Sequence, residues 1–352
     1  MKAKKKVRFI INPISGTRSK EAIVGQIPQY LDSSRFEYDI IYTQYAGHAS
    51  VLAKEAVADG IDVAVAVGGD GTVNEVARSL VHTQTALGII PCGSGNGLAR
   101  HLSIPLNATG ALEILAECNI KLFDYGKING QPFFCTCGIG FDASISKKFA
   151  EAGKRGLLTY VDSTLKSWFS YKPETYRIRF DGEEQTNEAF LIACANANQY
   201  GNNAYIAPSA SMSDGLMDVS ILEPFNMLEA AQVLLQLFNK TIDKNSHIRT
   251  FQCRQLHISR EKEGVVHFDG EPMECGKEID VELIHKGISV VKNAHANKSS
   301  QPVLKNIFAD IYMNMSHEVE RLRENIYEDI RQTGSHIRNI NTDLMNKLSN
   351  KK

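Results

Sequence analysis

The stretch DVAVAVGGDGTVNEVARSL, residues 62–80, decides the fold. Val63 to Val67 form a short continuous apolar run, the composition of a strand buried on both faces of a parallel sheet. Gly68, Gly69, Asp70 and Gly71 stop that strand. Thr72 reads as a helix N-cap with Glu75 three residues on, the spacing of a capping box. Val73, Val76, Ala77 and Leu80 then make one apolar helical face. The unit is strand, glycine loop, helix. Such a loop brings backbone N–H groups close to a phosphate, and the helix N-terminus favours the anion. Asp70 is the odd residue there, because a carboxylate repels phosphate unless a cation stands between them. One glycine loop is a weak signal, so its weight depends on its neighbours.

The flanking sequence repeats the pattern. A strand over 7–11 ends in Asn12-Pro13-Ile14-Ser15-Gly16 ahead of a helix predicted over 20–31. A second strand, 38–43, ends in Thr43 and Gly47-His48-Ala49 before a helix over 50–59. A fourth, 86–90, ends in PCGSGNG at 91–97 before a helix from Leu98. Four strands each end in a small-residue loop within about 100 residues, which places those loops at the carboxyl edge of one open α/β sheet, where ligands bind. Arg18 and Lys20 either add positive charge there or are solvated surface residues.

Beyond residue 122 the pattern changes. Strands are predicted over 125–128, 131–139, 176–180, 189–195, 216–222, 253–259, 265–268 and 279–283, with turn signals at Asn129-Gly130 and Asp181-Gly182. Long helices are expected only at 157–171 and 227–239. In the first of these, Leu158, Val161, Leu165 and Trp168 share a face that either packs in the core or lines a pocket. The domains are therefore an α/β domain (1–122) with a phosphate-lined edge and an antiparallel β-sandwich domain (123–292) whose last segment is able to return to the first. A polar linker (293–302) and an amphipathic helical tail (303–352) follow. Apolar tail positions such as Phe308, Ile311, Met315, Val319 and Leu322 recur with an 11-residue period, so the tail helix is nearly straight or slightly right-handed.

The chain has 352 residues, 43% of them hydrophobic, enough for about two cored domains. A net charge of −1 provides no global field for nucleic acid, so no nucleic-acid partner is expected. Seven cysteines without a CxxC pair fit a reducing compartment. Cys135 and Cys137, two apart in a strand-like run, should point the same way as small core residues. No apolar run reaches the roughly 18 residues of a spanning helix. The expectation is a cytoplasmic protein that meets a membrane from its inner face, as a peripheral protein.

Six motifs in order carry a resemblance: NPISG at 12–16, GHA at 47–49, GGDGTVNEV at 68–76, PCGSGNGLAR at 91–100, SDGLMDV at 213–219 and FDGEP at 268–272. Over residues 1 to about 292 the chain resembles the lipid kinases of the diacylglycerol kinase catalytic-domain superfamily, which includes the sphingosine kinases. The resemblance implies transfer of the ATP γ-phosphoryl group to a lipid hydroxyl with Mg2+, in a cleft between an α/β nucleotide-binding domain and a β-sandwich domain. It also implies that Asn12, Pro13, Ile14, Ser15, Gly16, Thr43, Gly68, Gly69, Asp70, Gly71, Thr72, Val73, Asn74 and Ser94 contact ATP. Ser211, Asp214 and Leu216 match the family's second magnesium site, with Asp214 the carboxylate and the others backbone carbonyls, a reasonable oxygen set for a metal that keeps its waters. The same residues would also build a β-turn. Asp70 would anchor the nucleotide magnesium through water.

Glu271 matches the family's general base, and Asp70, credited as base in sphingosine kinases, is its rival. Asp269 and Glu271 on one strand would face the same side, and two close carboxylates raise one pKa. The alternative for Asp269-Gly270 is a hairpin turn. PCGSGN is nearer the sphingosine kinase form of its motif, which points to a sphingoid or long-chain amino alcohol beside a diacylglycerol-like acceptor. The acidic residue that would grip the amine has Ser144 in its place, with Asp142 as a substitute. Two other functions are consistent with the pattern: an NAD kinase-like enzyme, which shares GGDGT, and a non-catalytic lipid-binding regulator. The tail's intermingled charges favour association between helices, as in a homo-oligomer through residues 303–352, over a bilayer surface.

Overall fold

The computed structural model describes residues 3–16, 19–152 and 171–295. Arg18, the apolar face predicted at Leu158, Val161, Leu165 and Trp168, and the helical tail lie outside the described residues. So does the linker from residue 296 onward.

The N-terminal strands β1 (Lys5–Ile11), β2 (Phe36–Tyr42), β3 (Val63–Gly68) and β4 (Ala86–Pro91) are parallel and ordered β2-β1-β3-β4. Every residue of β3 and β4 is buried, as their unbroken apolar runs require. Burying each valine side chain of β3 is worth about 1.5–3 kcal/mol before entropy is counted. The predicted helix over 20–31 is instead two, α1 (Lys20–Val24) and α2 (Ile27–Tyr30). Gly25 caps the first, and Pro28 sits in the opening turn of the second. Helices α3 (His48–Ala58) and α4 (Asp70–Leu80) pack on each other against β1 and β3. After the five-residue α5 (Gly97–His101) comes α6 (Ala108–Glu117), which the sequence pattern does not separate from it. It lies so close to β4 that a Cβ on Gly88 would stand 2.7 Å from Leu115 Cδ2.

Two sheets follow. One joins β5 (Ile120–Ile128), β6 (Gln131–Phe133), β8 (Glu174–Phe180), β9 (Glu183–Ala189), β13 (Gln255–Arg260) and β16 (Glu278–Val291). The other joins β7 (Thr136–Gly140), β10 (Leu191–Ala195), β11 (Met217–Leu222), β12 (Ile248–Cys253), β14 (Gly264–Phe268) and β15 (Glu271–Cys275), in the order β12-β11-β10-β7-β14-β15. Their facing side chains, among them Ile139, Ile178, Ile192, Val219 and Ile258, form the sandwich core. The last strand does return to the first domain: β16 pairs antiparallel with β13 and β5, and at Val290 runs parallel to Leu87 of β4. A single ten-stranded sheet therefore runs through both domains.

Several predicted boundaries differ from those observed. The single strand over 131–139 breaks into β6 and β7, and the strand over 253–259 straddles the junction of β12 and β13. Cys135 precedes β7 and lies in the core of the α/β domain, whereas Cys137 lies in the sandwich core, so the two do not share a face. Helix α7 (Phe141–Ala152) and strands β9 and β15 are not foreseen, because FDASISKKFAEA, EEQTNEA and EPMEC are too polar to show a clear period. Strand β10 has no alternation because both its faces are covered. Ile192 and Cys194 face the sandwich, while Leu191, Ala193 and Ala195 join a third core with Phe141, Ile145 and Val233 of α8 (Met227–Phe238).

Candidate active site

Three loops lock together at the carboxyl edge of the parallel strands. After β1, Asn12 donates its backbone N–H to Val67 and its side-chain amide to Thr72 Oγ1 (3.1 Å). The Asn12 Oδ1 accepts from Ile14 N, and Ser15 Oγ donates to Asn12 O, which folds the chain into a tight turn. Gly16 ends it at φ +62, with its Cα so near β4 that an added Cβ would lie 1.8 Å from Cys92 O. Only glycine meets both conditions. Lys20 is buried and donates to Ser15 O (2.5 Å), so it supports this loop and is not a solvated surface residue.

The second loop is Gly68 to Gly71. Gly69 and the third loop's Gly93 touch backbone to backbone: a Cβ on Gly93 would stand 2.7 Å from Gly69 Cα. Helix α4 starts at Asp70 with Gly69 as its N-cap, three residues earlier than the predicted N-cap at Thr72. The capping box at Thr72 and Glu75 does not form. The glycines let the chain turn directly out of the strand, and Glu75 instead accepts from Gly47 N and Ala49 N, closing the N-terminus of α3. Carboxylates are favoured at such ends.

Asp70 does not stand exposed in its loop. Its Oδ2 accepts from Asn96 N (2.8 Å) and its Oδ1 from Gly97 N (2.7 Å), so it ties the second loop to the start of α5. Asn96 closes its own loop through Gly93 N and Gly93 O. At Gly71, by contrast, an added Cβ would meet nothing within 4 Å, so the first turn of α4 faces open space. The orphan N–H groups of that turn suit an anion. Thr43, hydrogen-bonded through its N–H to Ile11 O, stands at the adjacent end of β2, and Ser94 is exposed on the third loop. Pro13 and Ile14 are exposed beside them, Ile14 at 83%. Asn12, Pro13, Ile14, Ser15, Gly16, Thr43, Gly68 to Thr72 and Ser94 are thus brought to one edge. The side chains of Val73 and Asn74 are buried and contribute to the edge only through their backbone.

Asp269 and Glu271 do not share a strand face. Phe268 pairs with Glu271 across a two-residue hairpin, with φ +51 at Asp269 and +82 at Gly270, the signs of a type I′ turn. The turn explanation is the correct one. The Asp269 carboxylate bends back to accept from Phe134 N (2.8 Å), Cys135 N (2.7 Å) and Thr136 N (3.2 Å). Burial pushes its pKa up to about 6 against the opposing pull of those amides and of Arg78; Glu271 is not a cause. Glu271 itself pairs with Arg78 of α4 (Oε2 to Nη1, 2.8 Å). The hairpin of the sandwich is therefore fastened to the helix that begins in the glycine loop.

Ser211, Asp214 and Leu216 lie on one turn, where Asp214 Oδ1 accepts from Leu216 N (3.1 Å). The residue that sets this turn carries no signal in the sequence. Asp124, fully buried on β5, accepts from Gly215 N (2.8 Å) and Lys286 N (2.7 Å) and pairs with His285. The other unforeseen group surrounds Asp142. Its Oδ2 meets His267 Nε2 (3.0 Å) and Tyr200 OH (3.1 Å), and both His267 and Asp142 are buried. No local sequence signal links residues so far apart; a buried histidine beside a carboxylate shows only in three dimensions.

Residues 6–128 match the family description "Diacylglycerol kinase catalytic domain", and residues 135–297 match "YegS C-terminal NAD kinase beta sandwich-like domain". A diacylglycerol kinase of Bacillus subtilis (strain 168) is 29% identical over 272 residues, 76% of this chain and 90% of its own length. A Chromohalobacter salexigens protein described as "Probable lipid kinase YegS-like" is 31% identical over 237 residues, 65% of this chain and 76% of its own length. A solved structure of a diacylglycerol kinase from Bacillus anthracis shares the fold, with a TM-score of 0.64 at 22% identity over 82% of this chain and 97% of that one.

Proposed function

The chain belongs to the diacylglycerol kinase catalytic-domain superfamily of lipid kinases, and on that premise we propose that it transfers the γ-phosphoryl group of ATP to the hydroxyl of a diacylglycerol-like lipid. The observation that carries this reading is the joining of the Glu271 hairpin to α4. The helix whose first turn opens onto the phosphate edge also holds, through Arg78, the carboxylate that would act on the acceptor.

Phosphoryl transfer depends chiefly on positioning and on neutralising charge. The loop at 12–16 and the first turn of α4 would hold the phosphates through backbone N–H groups, with Thr43 and Ser94 at the sides. Glu271 would accept the proton of the acceptor hydroxyl as its oxygen bonds to phosphorus, and ADP would leave. Asp70, whose two oxygens hold Asn96 N and Gly97 N, is better suited to shaping the loop than to moving a proton. Magnesium would neutralise charge developing on the phosphates. Asp214, with the carbonyls of Ser211 and Leu216, would hold the second ion, a donor set that fits because the three lie on one turn with Asp214 exposed.

Asp142 bears on the choice of acceptor. Its pairing with His267 and Tyr200 in the interior leaves it ill placed to grip an amine, which favours a neutral glycerolipid over a sphingoid base. Among the described residues no helix is long and apolar enough to cross a membrane, in keeping with action at the surface of the inner leaflet. The test is mass spectrometry of products after incubation with ATP, magnesium and a mixed lipid extract. A phosphorylated diacylglycerol is expected. A phosphorylated long-chain base would overturn the acceptor assignment, and phosphorylated NAD with unchanged lipids would overturn the class.

A further inference from the structure

Two arginines in the interior of this protein spend their donors on structure. Arg8 places Nε and Nη2 on Asp39 and Nη1 on Asp59. Arg260 donates to the carbonyls of Gly264, Val265, Cys275 and Gly276. Arg78 differs. Its Nη1 binds Glu271 Oε2 (2.8 Å), its guanidinium lies over the Phe268 ring (4.8 Å), and its Nε and Nη2 are buried with no hydrogen-bond partner among the described residues. Leaving two such donors unpaired is costly, so in a native protein it marks a place where something else is served.

What it serves follows from its neighbours. Arg78 sits two turns after Asp70 on the same helix, so its position is tied to the phosphate edge. Phe268 and Glu271, which it touches, are the paired residues on either side of the hairpin turn. The other charged groups on the elements around Glu271 are occupied. Asp269 is held by three amides, His267 by Asp142, and Lys147 of α7 by Glu274.

We propose that Arg78 is a positioning residue for the phosphoryl transfer: it aims the Glu271 carboxylate at the acceptor hydroxyl and fixes it relative to the nucleotide loop. This rests on the kinase reading above. With Glu271 held by one guanidinium nitrogen, one carboxylate oxygen is anchored and the other is left to take the proton.

The test is a double-mutant cycle on the full chain. Transfer of label from radiolabelled ATP to a total lipid extract in detergent is measured for the wild type, R78Q, R78K, E271Q and R78Q/E271Q. R78Q is expected to lower kcat about 10–100-fold while KM for ATP stays within about twofold. R78K, which keeps the charge over Phe268, recovers most of the loss. On the E271Q background R78Q costs nothing further, because the residue it positions is already gone. An additive cycle, or a raised KM for ATP with kcat intact, overturns the assignment while leaving the kinase reading standing. A wild-type chain that transfers no label overturns the kinase reading itself. E271Q at wild-type rate overturns the base, and Arg78's role with it.

Discussion

Replacing Asp269 by Asn should remove a pH-dependent part of the protein's stability. In the folded chain burial raises this carboxyl from an ordinary 3.8 to about 6, so between those values the folded state holds its proton more tightly than the unfolded one. For an acid raised in this way, the stabilising contribution is complete below about pH 4 and is lost as pH rises through 6. The full shift, about 2 units, is worth about 3 kcal/mol at about 1.4 kcal/mol per unit. Screening at a half-buried site reduces that to about 1–2 kcal/mol. Urea denaturation of wild type and Asp269→Asn at intervals from pH 4 to pH 7.5 measures it. The difference between the two proteins cancels every other titrating group, and wild type should lose ground to the variant as pH rises. A difference that is flat with pH would refute the reasoning. One of opposite sign would mean that the amides of Phe134, Cys135 and Thr136 outweigh burial and that the ionised form is the favoured one.

Gly71→Asp should fold normally, since its Cβ meets open space, yet lose ATP binding in calorimetry, because a carboxylate enters the phosphate edge; normal affinity in a folded variant would remove the loop from the site. Glu271→Gln should cut turnover about 10²–10⁴-fold with ATP still bound, whereas Asp70→Asn should chiefly disturb the Asn96–Gly97 loop and weaken ATP; the reverse pattern would make Asp70 the base. Truncation after Pro302 should leave activity on detergent-dispersed lipid intact and lower the solution mass measured by light scattering, and a full-length monomer whose vesicle binding is lost on truncation would show that the tail serves a membrane instead.

Much of the loop edge of the parallel sheet is legible directly. Each of its loops is local: a buried strand, a few small residues and a helix follow one another in the chain, and the strand's period and the glycines need no distant partner to be recognised. The short polar elements are harder. In β15 and α7, charged and small residues hide the period, because packing against a neighbouring element, not amphipathic pattern, holds them in place. Glu75 shows the same limit within a helix: its spacing fits a cap on α4, but its carboxylate reaches across to α3.

By itself the sequence determined the two-domain plan, the four loops at one sheet edge and the superfamily, because these depend on hydrophobic period and on residues close together in the chain. Only the tertiary structure decided which groups the carboxylates bind. Asp70 binds the amides of Asn96 and Gly97, the half-buried Asp269 anchors a hairpin and Glu271 pairs with Arg78, while Asp124 and Asp142 hold distant segments together. The physical reason is that a carboxylate's role is set by whichever donors lie within about 3 Å of it, and here those donors come from segments far away along the chain.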